Sequence, residues 1–234
     1  MPRVIAALIR HGDYHQLPGT PSAHQPFPLT AEGESQSREA ATGLRKILND
    51  NHWSLSPAVD SSQLLRAWQT ARIIVDELAD LFPAPPELTG YDALAERGVG
   101  SAANLTMDQI EAIIREDPRF SDLPEDWKSN SRFRLPLQGA ESLMEAGERV
   151  AGHLRPQMEQ LAATAETDTL KLFVGHGAAY RHAAHHLGIL EFGQIAKLSM
   201  YHAEPVFLEY LQDGTWRHIA GEWKVRGKLS EYTD

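Results

Sequence analysis

The chain contains no cysteine. Disulfides, thiol nucleophiles and cysteine-ligated metals are therefore all excluded, and a reducing, cytoplasmic setting is expected. Long apolar runs are also missing. Nothing approaches the ~20 residues of a membrane-crossing helix, so no membrane partner is expected. Core-like sequence begins at Arg3, which speaks against a cleavable leader. Positive charge is scarce: 22 Lys and Arg stand against 32 Asp and Glu, for a net charge of -10. A nucleic-acid-binding face needs a basic surplus, so no nucleic-acid partner is expected. An anionic ligand would have to be held by a local basic pocket inside an acidic protein. Nothing in the sequence calls for an oligomer.

What is present is an ordinary globular composition, 42% apolar and 23% charged over 234 residues. That length is enough for one α/β domain with a sizeable core. Val4-Ile5-Ala6-Ala7-Leu8-Ile9 reads as a buried strand of a parallel sheet, cut off at Arg10-His11-Gly12. Open α/β sheets bind ligands beyond the carboxyl ends of their strands, so Arg10 and His11 stand at the mouth of the sheet. The same punctuation recurs where Leu170 to Val174 runs into Gly175-His176-Gly177. Two strands ending in histidine beside glycine predict that His11 and His176 face one another.

Between these strands, Asp13 to Leu29 is proline-rich and aperiodic, a loop placed to wall the pocket. Thr30 is the expected N-cap of a helix to about Asn49. A short strand is expected near Ala58 to Ser61, a long helix from Ser62 to Phe82 and a strand over Glu87 to Tyr91. Thr106 to Gln109 forms a capping box for a short helix. A helix with a Pro156 kink is expected from Ala140 to about Glu166, then another from Ala178 to Leu187 ended by Gly188. Asp213-Gly214 signals a hairpin. Residues 117–139 carry Pro118, Pro124 and Pro136 and three exposed-looking aromatics, Phe120, Trp127 and Phe133. That stretch is either a lid over the site or a surface excursion. Arg66 falls in the first turn of its helix, where a cation opposes the dipole unless an anion balances it.

Five segments in order carry a family resemblance: Leu8 to Gly12 with Leu29 to Gly33, Ser61 to Ala71, Leu94 to Arg97, Gly139 to Ser142, and Val174 to Gly177. Together they resemble the histidine phosphatase (phosphoglycerate mutase-like) superfamily, branch 1. The resemblance implies a single domain over 1–234, built as a three-layer α/β/α sandwich with a mostly parallel central sheet. It also implies phosphomonoester hydrolysis through a phosphohistidine on His11, with no metal and no cofactor. By the same resemblance Arg10 and Arg66 hold phosphate oxygens and His176 stabilises the transferring group. Glu96 acts as general acid and then base, with Asp92 as its rival. Gly177, Ser62 and Arg97 are further phosphate or substrate contacts, although Ser62 reads equally as a helix N-cap.

Departures from the mutase pattern favour a phosphatase. Asp13-Tyr14-His15-Gln16 replaces the residues that follow the first motif in mutases, and Gly98 to Ala103 is small and neutral. Tyr14-His15 and Tyr180-Arg181 give a partial likeness to the serine/threonine protein-phosphatase branch. The substrate is therefore a phosphorylated small molecule or a phosphoprotein. Mutase-type phosphoryl transfer and a non-catalytic phosphate- or phosphopeptide-binding module stay open. A metal site on His182, His185 and His186 is the remaining rival, against three histidines on a solvated helix.

Overall fold

Val4–Arg10 forms β1, buried along its whole length, in a computed structural model that describes residues 2–226. Alternate side chains of a strand point to opposite faces. Here Ile5, Ala7 and Ile9 enter one core and Val4, Ala6 and Leu8 the other. Both cores are closed by helices. On the first face lie α1 (Ala31–Asn51) and α2 (Leu65–Glu77). On the second lie α4 (Leu143–Thr164) and α5 (Gly177–His186). Between the helix pairs comes α3 (Met107–Glu116). The result is the expected three-layer α/β/α arrangement.

The main sheet runs in the order β4 (Glu87–Tyr91), β3 (Ala58–Ser62), β5 (Thr169–Gly175), β1, β7 (Pro205–Tyr210), β8 (Trp216–Ala220). Two-residue β2 (Ser54–Leu55) also pairs with β5. The β4, β3, β5 and β1 pairings are parallel, whereas β7 and β8 add an antiparallel edge through the expected hairpin. Because β3, β5 and β1 are neighbours and parallel, Ser62, Gly175 and Arg10 end on one rim.

Local sequence explains most boundaries. The Thr30 side chain accepts from the Gly33 amide and Glu32 and Glu34 sit in the first turn of α1, where acids suit the dipole. Capping boxes open α3 at Thr106 and Gln109 and α4 at Ser142 and Glu145. The second box starts α4 at Leu143 rather than the predicted Ala140. The predicted helix from Ser62 starts instead at Leu65, because Ser61 and Ser62 still pair with Gly90 and Tyr91. It stops at Glu77, followed by a 3-10 turn over Ala79–Leu81. Strands β2, β6 (Leu198–Ser199) and β9 (Lys224–Val225) and helix α6 (Phe192–Ile195) are too short to leave a period in the sequence.

Two expectations need correction. Trp127 is not exposed: at 3% exposure it joins Ala23, Val99, Ala102, Ile110 and Leu135 in a third core. Its Nε1–H donates to Glu111, and Phe120 and Phe133 are half-buried. Residues 117–139 lack a helical or strand period, so inward and outward residues could not be told apart from sequence. Nor is α5 a solvated helix. Gly147 of α4 leaves so little room that a Cβ there would come within 2.4 Å of the His182 Cβ, and residues Gly177 to Ala184 are buried. His182 bonds the Ala178 carbonyl and the Ser131 hydroxyl, His185 the Leu190 carbonyl and His186 the Met144 carbonyl. These imidazoles are structural links. Among the described residues no cluster of three His, Asp or Glu is arranged to hold a metal ion, and no helix is long and apolar enough to cross a membrane.

Candidate active site

His11 is the first residue past β1, and its amide donates to the Gly175 carbonyl at 2.9 Å. That bond lashes the end of β1 to the end of β5, where His176 follows. The two imidazoles lie 5.1 Å apart between ring centroids, facing one another as the sequence predicts. Gly12 allows the close turn: its amide donates to the Thr70 hydroxyl, and a Cβ would meet the Gly33 carbonyl oxygen at 2.4 Å.

Arg66 holds the centre. It is fully buried in the first turn of α2. Its Nε donates to His11 Nε2 at 3.1 Å, and one terminal nitrogen reaches His176 Nδ1 at 3.3 Å. Two further hydrogen bonds go to the Gln25 and Ala23 carbonyls, and its guanidinium lies 4.4 Å above the Tyr14 ring. The proline-rich loop thus walls the site by offering carbonyl oxygens and an aromatic face. Tyr14 also stands edge-on to His11 at 5.2 Å.

These bonds fix the tautomers. His11 Nδ1 contacts the Gly12 carbonyl at 2.7 Å, so Nδ1 carries the proton and Nε2 keeps its lone pair toward Arg66. His176 is the reverse: Nδ1 accepts from Arg66, and Nε2–H donates to the Ser62 hydroxyl at 3.0 Å. Burial, then the charge of Arg66, drive both imidazoles' pKa values well below the ordinary 6.5. An unprotonated imidazole with a directed lone pair is a nucleophile. In 15N-edited NMR spectra the two rings are expected to show opposite neutral tautomers and not to titrate near pH 6.5. A protonated His11 or His176 at pH 6 would contradict this electrostatic picture.

The other candidates fall around this centre. The Arg10 side chain lies over Gly177, where a Cβ would come within 3.0 Å of Arg10 Cδ, and donates to the Met200 carbonyl at 2.9 Å. Ser62 is not the N-cap of α2. Leu64 takes that position without a side-chain cap, while Ser62 Oγ accepts from the Leu64 amide. Glu96 is buried and lines a cavity of ≈ 410 Å³ with Arg97, Trp127, Ala178 and Arg181. Residues 125–129 of the irregular segment wall the same cavity. Asp92, its rival, is exposed.

A brace invisible in the sequence holds Glu96. Arg149 of α4 donates to the carbonyls of Asp92, Ala93, Ala95 and Glu96 and pairs with Glu141. Glu141 in turn accepts from the Gly98 amide. The Gly139 to Ser142 motif therefore acts by fixing the loop that carries Glu96. Also missed was His202, 5.7 Å from the His11 ring and lining a second cavity of ≈ 510 Å³ with Arg10. The Ala203 amide, bonded to the Arg10 carbonyl, ties that segment to β1.

Comparison with known proteins bears on the family and the fold. The sequence profile of the histidine phosphatase superfamily (branch 1) matches residues 6–220. Comparison with curated protein sequences gives no significant match. Among solved structures, a phosphoglycerate mutase from Bacillus anthracis is 19% identical with a TM-score of 0.68, over 94% of this chain and 92% of that one. A mycobacterial glucosyl-3-phosphoglycerate phosphatase is 21% identical with a TM-score of 0.63, over 96% and 97%. A mutant phosphoserine phosphatase from Entamoeba histolytica is 17% identical with a TM-score of 0.62, over 93% and 96%. At these identities the likeness is one of fold.

Proposed function

The chain belongs to the histidine phosphatase superfamily, branch 1, and from that premise we propose that it hydrolyses phosphomonoesters through a phosphohistidine on His11, without a metal or cofactor. The observation that carries the reading is the His11–Arg66–His176 constellation: a neutral imidazole with its Nε2 lone pair aimed at a buried guanidinium that also reaches the second imidazole. Phosphoryl transfer asks the protein for positioning and charge stabilisation more than for covalent help.

His11 Nε2 attacks phosphorus and the bond to the ester oxygen breaks. Glu96 gives its proton to that oxygen, and the alcohol departs into the adjacent cavity. Water then attacks the phosphohistidine, Glu96 takes the water's proton, the P–N bond breaks and inorganic phosphate leaves. Arg66 and Arg10 meet the phosphoryl oxygens, with fork geometry suited to that anion. His176, held across Arg66 from His11, turns its Nε2–H from the Ser62 hydroxyl to the transferring group, and Gly177 opens α5, whose first-turn amides have no intrahelical acceptor and suit an anion.

The test is hydrolysis of p-nitrophenyl phosphate in EDTA with free phosphate quantified, and trapping of labelled enzyme by a quench in alkaline detergent. Turnover that survives the chelator, with an acid-labile, alkali-stable phosphoenzyme, is the expected result. A phosphoenzyme that never turns over would mark a binding module. Activity lost to EDTA and restored by a metal would refute the metal-free mechanism.

A further inference from the structure

Ala23, His24 and Gln25 belong to the proline-rich loop that walls the site, and these three residues face two ways. The Ala23 and Gln25 carbonyls each accept from the Arg66 guanidinium at 2.9 Å. His24, between them, is turned outward and exposed. Its Nε2 lies 2.9 Å from the carbonyl oxygen of Glu96. A carbonyl only accepts, so Nε2 carries a proton and donates it. One short segment therefore grips both the central arginine and the backbone of the proposed acid.

The grip on Glu96 matters because that residue stands in no helix or strand. The bonds of its loop set its place. On one side Arg149 of α4 donates to the Ala93 and Ala95 carbonyls, and Glu141 accepts from the Gly98 amide. On the other side His24 ties the loop toward the nucleophile. Gly98 lies between the two: a Cβ there would stand 3.3 Å from the Gly139 carbonyl oxygen and 3.7 Å from His24 Nε2. Glu96 Oε1 accepts from the Arg97 amide at 2.9 Å, so the carboxyl group follows its own backbone. A shift of about 1 Å in a reacting group costs up to about 10²-fold in rate.

We propose that His24 is a positioning residue: through the Glu96 carbonyl it sets where the acid stands relative to the His11–Arg66–His176 centre. The proposal rests on the hydrolase reading and on Glu96 as its proton donor.

The test compares kcat/KM for benzyl phosphate and p-nitrophenyl phosphate in wild type, His24→Ala, His24→Gln and Glu96→Gln, beside thermal melts. This parameter covers the step in which the alcohol leaves. Benzyl alcohol needs a proton to leave, whereas nitrophenolate leaves without one. His24→Ala should lose about tenfold on benzyl phosphate and at most about threefold on p-nitrophenyl phosphate, with its melting temperature unchanged. His24→Gln, whose amide also donates, should recover most of the loss. Glu96→Gln should show the same selectivity, and more of it. Equal losses on both esters, a benzyl phosphate loss below about twofold, or a glutamine variant as slow as the alanine one would each overturn the proposal. Where His24→Ala does not fold, His24→Asn, too short to reach the carbonyl, carries the same comparison. Selectivity in Glu96→Gln without any in His24→Ala overturns the proposal alone. No selectivity in Glu96→Gln removes the acid assignment, and no His11-dependent phosphate release removes the hydrolase reading; the proposal falls with either.

Discussion

Arg66→Met is expected to lower kcat/KM for any phosphomonoester by about 10³- to 10⁵-fold, the range seen when a transition-state arginine is removed. The loss should approach that of His11→Ala, which removes the nucleophile itself. The reason is geometric: one guanidinium bonds His11 and His176 while two loop carbonyls hold it in place. Methionine keeps the volume and removes every donor. Arg66→Lys should rescue little, because a single ammonium cannot span both imidazoles and both carbonyls. Stability should move much less than activity. Leaving the Ala23 and Gln25 carbonyls without a donor costs about 1–3 kcal/mol each, whereas removing a charge buried without an acid partner works the other way. His11 should also titrate at higher pH in the methionine variant, since Arg66 is the largest charge holding its pKa down. Steady-state kinetics beside thermal melts and a His11 NMR titration would check this. A loss below tenfold, or full rescue by lysine, would remove Arg66 from the centre of the mechanism.

How far this site could be read in advance depends on what each residue leaves in the sequence. The ends of β1 and β5 were legible because an apolar run stopped by histidine and glycine is a local pattern, and their meeting follows from parallel pairing. Arg66 was legible as an anomaly, a cation in a helix's first turn. Its balance was not. The partners are Ala23, Gln25 and Tyr14, and backbone carbonyls have no residue type to betray them. The Arg149–Glu141 brace was equally hidden, since it joins α4 to carbonyls more than fifty residues upstream. Trp127 was misread because an aperiodic segment gives no face to assign. The burial of His182 was hidden because the contact that sets it is made by Gly147, a glycine whose role appears only when α4 lies against α5.

Buried histidines give the protein a steep acid limit. His182 is buried between the Ala178 carbonyl and the Ser131 hydroxyl, and its pKa falls from 6.5 to about 3 by desolvation. His11 and His176 are depressed in the same direction. Between the two values the unfolded chain binds a proton that the folded chain refuses, so stability rises with pH in that window. It is complete above about 6.5 and drains away as pH falls toward the folded values. His182 contributes about 1.4 kcal/mol per pH unit between its two values, and His11 and His176 add to the fall in the same direction. Urea unfolding from pH 7.5 to 5 should therefore show a midpoint that is level at the top of the range and falls steeply at the bottom. His182→Gln, which touches neither catalytic imidazole, should flatten the fall. A midpoint unchanged down to pH 5 would mean that these histidines accept protons in the fold. The nucleophile would then lose the neutrality on which its chemistry depends, so this melt tests the electrostatics of the site without any substrate.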